Sequence, residues 1–211
     1  MTHSSNSRPQ QQIEFLENSR ILYLPIAGGW PPNVRDKKEL DEIRTLIIKD
    51  IESAKLFIDE NPDILEGHEI YADLLRMAHN VDVPDAARKS EAVLKEILKN
   101  NPQSYPATMS LASLYITSNA ELAPKAEEYF HRALELRPNS PNPAIYQGLG
   151  FASLHQNRID IAIENFQTYL CLVPTDTQIS EFVGKLIAGE KPVQVKETIA
   201  NKSSKAWWKL W

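Results

Sequence analysis

The histidines and paired carboxylates of this chain are the side chains whose types could support catalysis or hold a metal, and their spacing favours neither. His68 and Glu69 begin like a zinc-protease motif, but the second histidine would fall at Ala72. Glu127 and Glu128 fit the solvated face of a helix. We find no phosphate-cradling glycine loop and no nucleophile elbow in the sequence. The chain is therefore predicted to be non-catalytic, with no cofactor and no metal.

Cys171 is the single cysteine of the chain. A lone cysteine forms no internal disulfide and lacks the spacing of a metal site. Because it lies in the apolar stretch 169–173, we predict a small buried side chain.

Length and charge narrow the class of protein. The chain has 211 residues, enough for one sizeable domain, and its net charge of −5 counts against a nucleic-acid binder. Residues 1–12 lack the apolar core of a secretory signal, and no apolar run reaches the roughly 18 residues of a spanning helix. We expect a cytoplasmic protein, free or peripheral to a membrane.

Four prolines recur at a nearly constant spacing. Pro62, Pro102, Pro138 and Pro174 are separated by 40, 36 and 36 residues, and each follows an apolar-periodic segment. Proline disfavours helix at the residue before it, so each is predicted to end a helix. A further helix precedes each of the last three, near 67–78, 106–118 and 143–156.

A small residue followed by a large one at helical spacing recurs ahead of these prolines, and the whole pattern resembles the tetratricopeptide repeat. The matching residues are Tyr71, Ala72, Leu75, Leu94 and Pro102 in repeat 1 (64–102); Leu111, Ala112, Tyr115, Ala126, Phe130, Ala133 and Pro138 in repeat 2 (103–138); and Tyr146, Leu149, Gly150, Ala162, Phe166 and Pro174 in repeat 3 (139–174). Repeat 1 departs by a longer inter-helix loop and by Ser90 where the family has alanine. The resemblance implies an all-α, right-handed solenoid of helical hairpins.

Helices are predicted to close the array of residues 36–189 at both ends. The apolar face of 36–62 indicates an N-terminal cap helix, and 175–189 a C-terminal capping helix. Residues 1–12 are polar and predicted to be disordered. Because Pro25 disfavours a helix, we predict that 13–35 is an extended apolar arm, packed on the first helices or used as a partner-binding strand.

The C-terminal tail (190–211) is basic and rich in tryptophan. Its last 21 residues hold five lysines and one glutamate, and Trp207, Trp208 and Trp211 are flanked by Lys205 and Lys209. Exposed tryptophan anchors interfaces, and tryptophan with lysine also suits lipid headgroups. The tail is predicted to fold back on the array, to dock on a partner or a neighbouring copy, or to anchor the chain weakly at a membrane surface.

Family resemblance also implies where a ligand binds, since such ligands lie along a concave surface lined by the first helix of each pair. Carried over by position, the surface consists of Glu66, Glu69, Asp73, Arg76 and Met77 in repeat 1, Met109, Ser113, Ile116 and Thr117 in repeat 2, and Gln147, Phe151, Leu154 and His155 in repeat 3. The lysines and asparagines with which one subgroup grips a chaperone tail are missing from it. We predict an adaptor or assembly factor for a protein or peptide that is apolar in its middle and basic at one end. The alternative is a peripheral membrane tether that uses the tail.

Overall fold

A computed structural model describes residues 7–29, 31–140 and 142–189. These residues form nine α-helices and one short 3-10 turn and contain no strand, so the fold is all-α as predicted. The chain divides into two compact units, residues 1–110 (the N-terminal unit) and 111–211 (the C-terminal unit). Within the described part, no helix is both long and apolar enough to cross a lipid bilayer.

The helices follow one another with short connections. Those of the N-terminal unit are α1 (Arg8–Ala27), α2 (Lys37–Glu60), α3 (Leu65–Asn80) and α4 (Ala86–Asn100), and α5 (Tyr105–Ser118) runs across the boundary between the units. The C-terminal unit continues with the 3-10 turn (Ala120–Leu122), α6 (Ala123–Leu136), α7 (Pro143–His155), α8 (Ile159–Leu172) and α9 (Thr177–Ile187).

Local signals set the ends of several helices. The helices α2, α4, α6 and α8 each end two residues before one of the four periodic prolines, as predicted. Asp36 caps the start of α2 by accepting a hydrogen bond from the Glu39 amide, and Asp176 caps α9 in the same way through Ile179. Gly189 follows α9 with a φ of 78°, a left-handed conformation that glycine adopts at little cost.

The predicted extended arm over 13–35 is wrong, because most of it belongs to helix α1. Pro25 lies inside this helix, two residues before its end. It removes one backbone hydrogen bond of the last turn, and the apolar face of α1 packed on its neighbours outweighs that loss. The predicted disorder of residues 1–12 is also wrong from Arg8 onward, while residues 1–6 lie outside the described residues.

With α1 helical, α2 gains a partner and the N-terminal unit contains two helical hairpins, α1–α2 and α3–α4. Tyr23 of α1 donates a hydrogen bond to Asp50 of α2 at 2.7 Å. One core joins the first three helices and Val81 and Ala86 beyond them. Its buried members are Ile13, Leu16, Tyr23, Ala27, Leu40, Ile47, Ala54, Phe57, Ile58, Ile70, Leu74, Met77, Ala78, Val81 and Ala86.

Aromatic rings fill the core of the C-terminal unit. Phe166 of α8 meets Phe151 of α7 and Phe182 of α9 edge-on, with ring centroids 5.0 and 5.6 Å apart. Two glycines of α7 make room for rings from the neighbouring helices. A Cβ atom at Gly148 would lie 2.2 Å from the ring of Phe130, and one at Gly150 would lie 2.5 Å from that of Phe166.

Candidate partner-binding surface

In the N-terminal unit, half of the predicted groove residues are covered. Asp73, Arg76 and Met77 of α3 are 5%, 3% and 0% exposed. Glu66 is exposed, while Glu69 and Met109 are half-buried. A partner would reach these last three side chains, but it could not contact the buried three while α1 is in place.

Asp73 is the centre of a polar cluster that joins α1, α3 and α5. Its carboxylate accepts hydrogen bonds from Arg76 Nε at 2.7 Å, Ser110 Oγ at 2.8 Å and Arg20 at 3.4 Å. Burial by itself would raise the pKa of Asp73, but the charge of Arg76 and the hydrogen bonds from Arg76 and Ser110 hold that pKa below its ordinary value. Asp73 is therefore a buried carboxylate whose charge is already balanced.

The end of α1 is held by side chains of α3. Arg76 donates to the carbonyl of Gly28 at 2.6 Å, and Asn80 donates to the carbonyl of Ala27 at 2.9 Å. These carbonyls have no partner within their own helix, so the two side chains complete the helix terminus. In this structure Arg76 anchors α1.

Sequence reasoning missed this arrangement because it assigned no helix to residues 8–27. Ile13, Leu16, Arg20, Tyr23 and Ala27 are spaced by three or four residues and share the packed side of α1. That spacing is typical of an amphipathic helix and was the available signal. Pro25 and the apolar residues on the other side of the helix obscured it.

Little acidic surface remains in repeat 1 for a basic ligand. Ser104 donates a hydrogen bond to Glu69 at 2.5 Å, so one oxygen of that carboxylate already has a partner. Glu66 is exposed at the start of α3. The predicted preference for a basic ligand end therefore depends on Glu66 and Glu69 alone.

The C-terminal unit leaves its predicted groove residues partly open. All are half-buried: Ser113, Ile116, Thr117, Gln147, Phe151, Leu154 and His155. None carries a carboxylate or an ammonium group. Burial lowers the pKa of His155 below its ordinary value, so the imidazole is neutral at pH 7. This row of side chains, which we call the uncharged row, is partly apolar and carries no net charge.

Packing beneath the uncharged row fixes its shape. Phe151 contacts Phe166, and Leu154 packs on the core formed by α8 and α9. Close to it, Glu127 of α6 accepts hydrogen bonds from Arg158 at 2.6 Å and Gln156 at 2.9 Å. These bonds join the α7–α8 turn to α6, so the prediction that Glu127 is solvated helix surface is wrong.

Cys171 is exposed, and the prediction that it is buried is wrong. It lies two residues after the buried Tyr169, and two residues turn a helix by about 200°, so its side chain emerges on the far side of α8. The tail anchor Trp207, Trp208, Trp211, Lys205 and Lys209 lies outside the described residues and stays a prediction. Among the residues that the structure describes, no three histidine, cysteine, aspartate or glutamate side chains cluster as metal ligands would.

Comparison with known proteins supports the fold. The crystal structure of a thermophilic tetratricopeptide-repeat (TPR) protein from Thermus thermophilus matches 86% of this chain and 91% of its own, with a TM-score of 0.55 and 18% sequence identity. At that identity the likeness concerns the arrangement of helices. No family model matches the sequence, and no curated protein matches it.

Proposed function

We propose that this chain is a non-catalytic tetratricopeptide-repeat protein that binds a protein or peptide partner, as an adaptor or assembly factor. The observation that carries the proposal is the uncharged row on α5 and α7. Ile116, Phe151 and Leu154 expose part of their apolar surface there, beside the amide of Gln147. Half-exposed apolar side chains with a few polar groups among them are typical of surfaces that bind peptides.

The chemistry of the row indicates the class of ligand. A peptide with apolar side chains would bury them against Phe151 and Leu154 and take a hydrogen bond from Gln147. A strongly charged peptide would lose hydration at a surface that offers no opposite charge. We therefore favour an apolar peptide segment as the ligand of the uncharged row.

The test compares two variants of the full chain as baits in a native lysate. Gln147→Arg places a long cation in the uncharged row, whereas Gln167→Arg makes the same change at an exposed site on α8. We expect a partner to be captured by the wild type and by Gln167→Arg and to be lost from Gln147→Arg, as measured by quantitative mass spectrometry. Capture of the same proteins by both variants would contradict the proposal, provided that their thermal unfolding curves agree.

The alternative function, a peripheral membrane tether, depends on the tail sequence. Each lysine near an anionic surface contributes about 1 kcal/mol, so binding would be weak and sensitive to salt. Full-chain protein with Trp207, Trp208 and Trp211 changed to alanine, sedimented with phosphatidylserine vesicles, separates the two functions. Vesicle binding by the wild type that disappears in the variant favours the tether. Equal sedimentation of the two proteins argues against it.

A further inference from the structure

The C-terminal tail (190–211) concentrates large apolar side chains in a short stretch of sequence. Trp207, Trp208 and Trp211 fall within five residues, and Leu210 stands among them. An indole ring is a large apolar surface with a single hydrogen-bond donor, so several of them are costly to leave in water. The surface that covers this segment should therefore be apolar and should offer a hydrogen-bond acceptor.

The uncharged row of the C-terminal unit has both properties. Phe151 and Leu154 are half-buried and lie about one turn apart on α7, so their exposed parts are neighbours. Gln147 precedes Phe151 by one turn, and its side-chain amide makes no hydrogen bond with another residue that the structure describes. The oxygen of that amide can accept a hydrogen bond from an indole N–H. The row therefore matches the chemistry of a tryptophan side chain.

Other surfaces of the C-terminal unit suit the tryptophans less well. Among its described residues, the large apolar side chains that are most exposed are Ile161, Leu172 and Ile187. Ile161 and Leu172 lie eleven residues apart on α8, which is about 16 Å along the helix axis. Ile187 ends α9, whose other exposed side chains are polar. Each of the three is isolated, whereas the uncharged row groups its apolar side chains.

We propose that the tryptophans of the tail cover the uncharged row of the same chain, so that the tail competes with the partner for that surface. This inference rests on the proposed function, because it assigns a regulator to the same site. Trp207 lies 18 residues after Gly189, and an extended stretch of that length spans up to about 60 Å. A compact unit of this size is roughly 30 Å across, so the tail is long enough to reach the row.

Charge favours the folded part of the same unit as the docking surface. Residues 111–189 hold eight acidic and five basic side chains, a net charge of −3, whereas residues 198–211 hold three lysines and no acidic side chain. These opposite charges attract the tail to the unit. Lys205 and Lys209 can keep their ammonium groups in water while the tryptophans beside them are covered, because the lysine side chain is long.

Attachment to the same chain sets the strength of the contact. A flexible linker of this length keeps the tail at an effective concentration on the order of 1 mM. An intrinsic dissociation constant of about 100 µM would then leave the row covered in about 90% of the molecules. The apparent affinity of a competing partner would be lowered about tenfold.

Tryptophan fluorescence of the purified full chain tests the contact without any partner. The spectrum of a variant with the three tail tryptophans changed to alanine, which keeps Trp30, is subtracted to leave the emission of the tail. We expect that emission to be blue-shifted from that of a synthetic peptide of residues 202–211. In Gln147→Arg it should return to the wavelength of the peptide. Gln167→Arg, at an exposed site on α8, is the matched control and should keep the blue shift.

Three results would overturn the contact within one chain. The first is wild-type tail emission that matches the free peptide, or an equal response to the two arginine variants. The second is a blue shift that grows between about 1 and about 100 µM protein, which would assign the tail to a neighbouring copy. The third is a blue shift that appears only with phosphatidylserine vesicles, which would assign the tail to a membrane.

Competition by a separate peptide distinguishes this inference from the proposed function. A labelled peptide of residues 202–211 should bind the variant without tail tryptophans about tenfold more tightly than the wild type, because only the wild type has its row covered. Fluorescence polarisation measures both affinities, and equal binding overturns the inference. The proposed function is tested separately, by whether Gln147→Arg loses the partner that the wild type captures from the lysate.

Discussion

The two units of this protein bury different kinds of side chain in their cores. Six of the seven buried polar side chains among the described residues lie in the N-terminal unit, namely Asp73, Arg76, Asn80, Ser90, Ser104 and Thr108. The C-terminal unit contributes Ser153 and instead packs phenylalanine rings against two glycines. The unit that matches the repeat signature best is thus the aromatic one. Where the signature is weak, hydrogen bonds between distant residues hold the helices together.

Removing Asp73 from the polar cluster of the N-terminal unit should cause the largest loss of stability. Asp73→Ala leaves Arg76 buried with the carbonyl of Gly28 and without its carboxylate, and breaking a buried ion pair in this way costs about 3–5 kcal/mol. Asp41→Ala is the control, because Asp41 pairs with Arg44 at the surface and such pairs contribute about 0–1 kcal/mol. Urea unfolding measures both values. Similar losses for the two variants would show that the polar cluster does not stabilise the N-terminal unit.

Gly150→Ala tests how tightly the phenylalanine rings pack in the C-terminal unit. The added Cβ atom would meet the buried ring of Phe166 at 2.5 Å, so Gly150→Ala should destabilise the fold by about 1–3 kcal/mol. Gly184→Ala in α9 has open space around it and should stabilise by roughly 0.5–1 kcal/mol, since alanine favours helix. Thermal unfolding of the pair measures this difference. Equal effects would mean that the ring moves aside easily.

Acid should weaken the polar cluster around Asp73. A carboxyl whose pKa is lower in the folded state stabilises that state above its unfolded pKa of about 3.9. The stabilisation is lost as the pH falls through that value toward the folded pKa. For Asp73 the loss is on the order of 1 kcal/mol for each unit by which its pKa is lowered. The unfolding free energy of the wild type, measured by urea denaturation from about pH 6 to pH 3, should therefore fall more steeply than that of Asp73→Asn.

The smallest effect is expected at Cys171. Because its side chain is exposed on α8, Cys171→Ser should change the unfolding free energy by less than about 0.5 kcal/mol. The wild-type thiol should also react with a soluble disulfide reagent at the same rate with and without denaturant. A thiol that reacts slowly until the protein unfolds would show that Cys171 is buried in the folded protein.

Local signals made part of this fold predictable. The ends of α2, α4, α6 and α8 follow from the proline two residues beyond each, since proline acts on its immediate neighbours. Helix α1 was not predictable in this way. Its local signal, Pro25, disfavours helix. The helix is stabilised by packing on α2 and α3, and these partners lie too far along the sequence for a local pattern to reveal them. Tertiary contacts of this kind commonly outweigh local propensity.

The same limit applies to the candidate surface. Family positions led to the uncharged row, where the structure leaves all the predicted residues of the C-terminal unit partly exposed. They also led to Asp73 and Arg76, which anchor α1. The difference arises because the partners of Arg76 and Asn80 lie 48 and 53 residues away, in a segment whose helix was not recognised.

The anchoring of α1 by α3 has a consequence for the protein while it is being synthesised. The carbonyl of Ala27 leaves the ribosome 53 residues ahead of Asn80, the side chain that will bind it. At about 5–20 residues per second, α1 waits about 3–10 seconds for its partner helix, with both of its apolar sides in water. During that interval the apolar side chains of α1 are a target for a chaperone that binds exposed apolar segments.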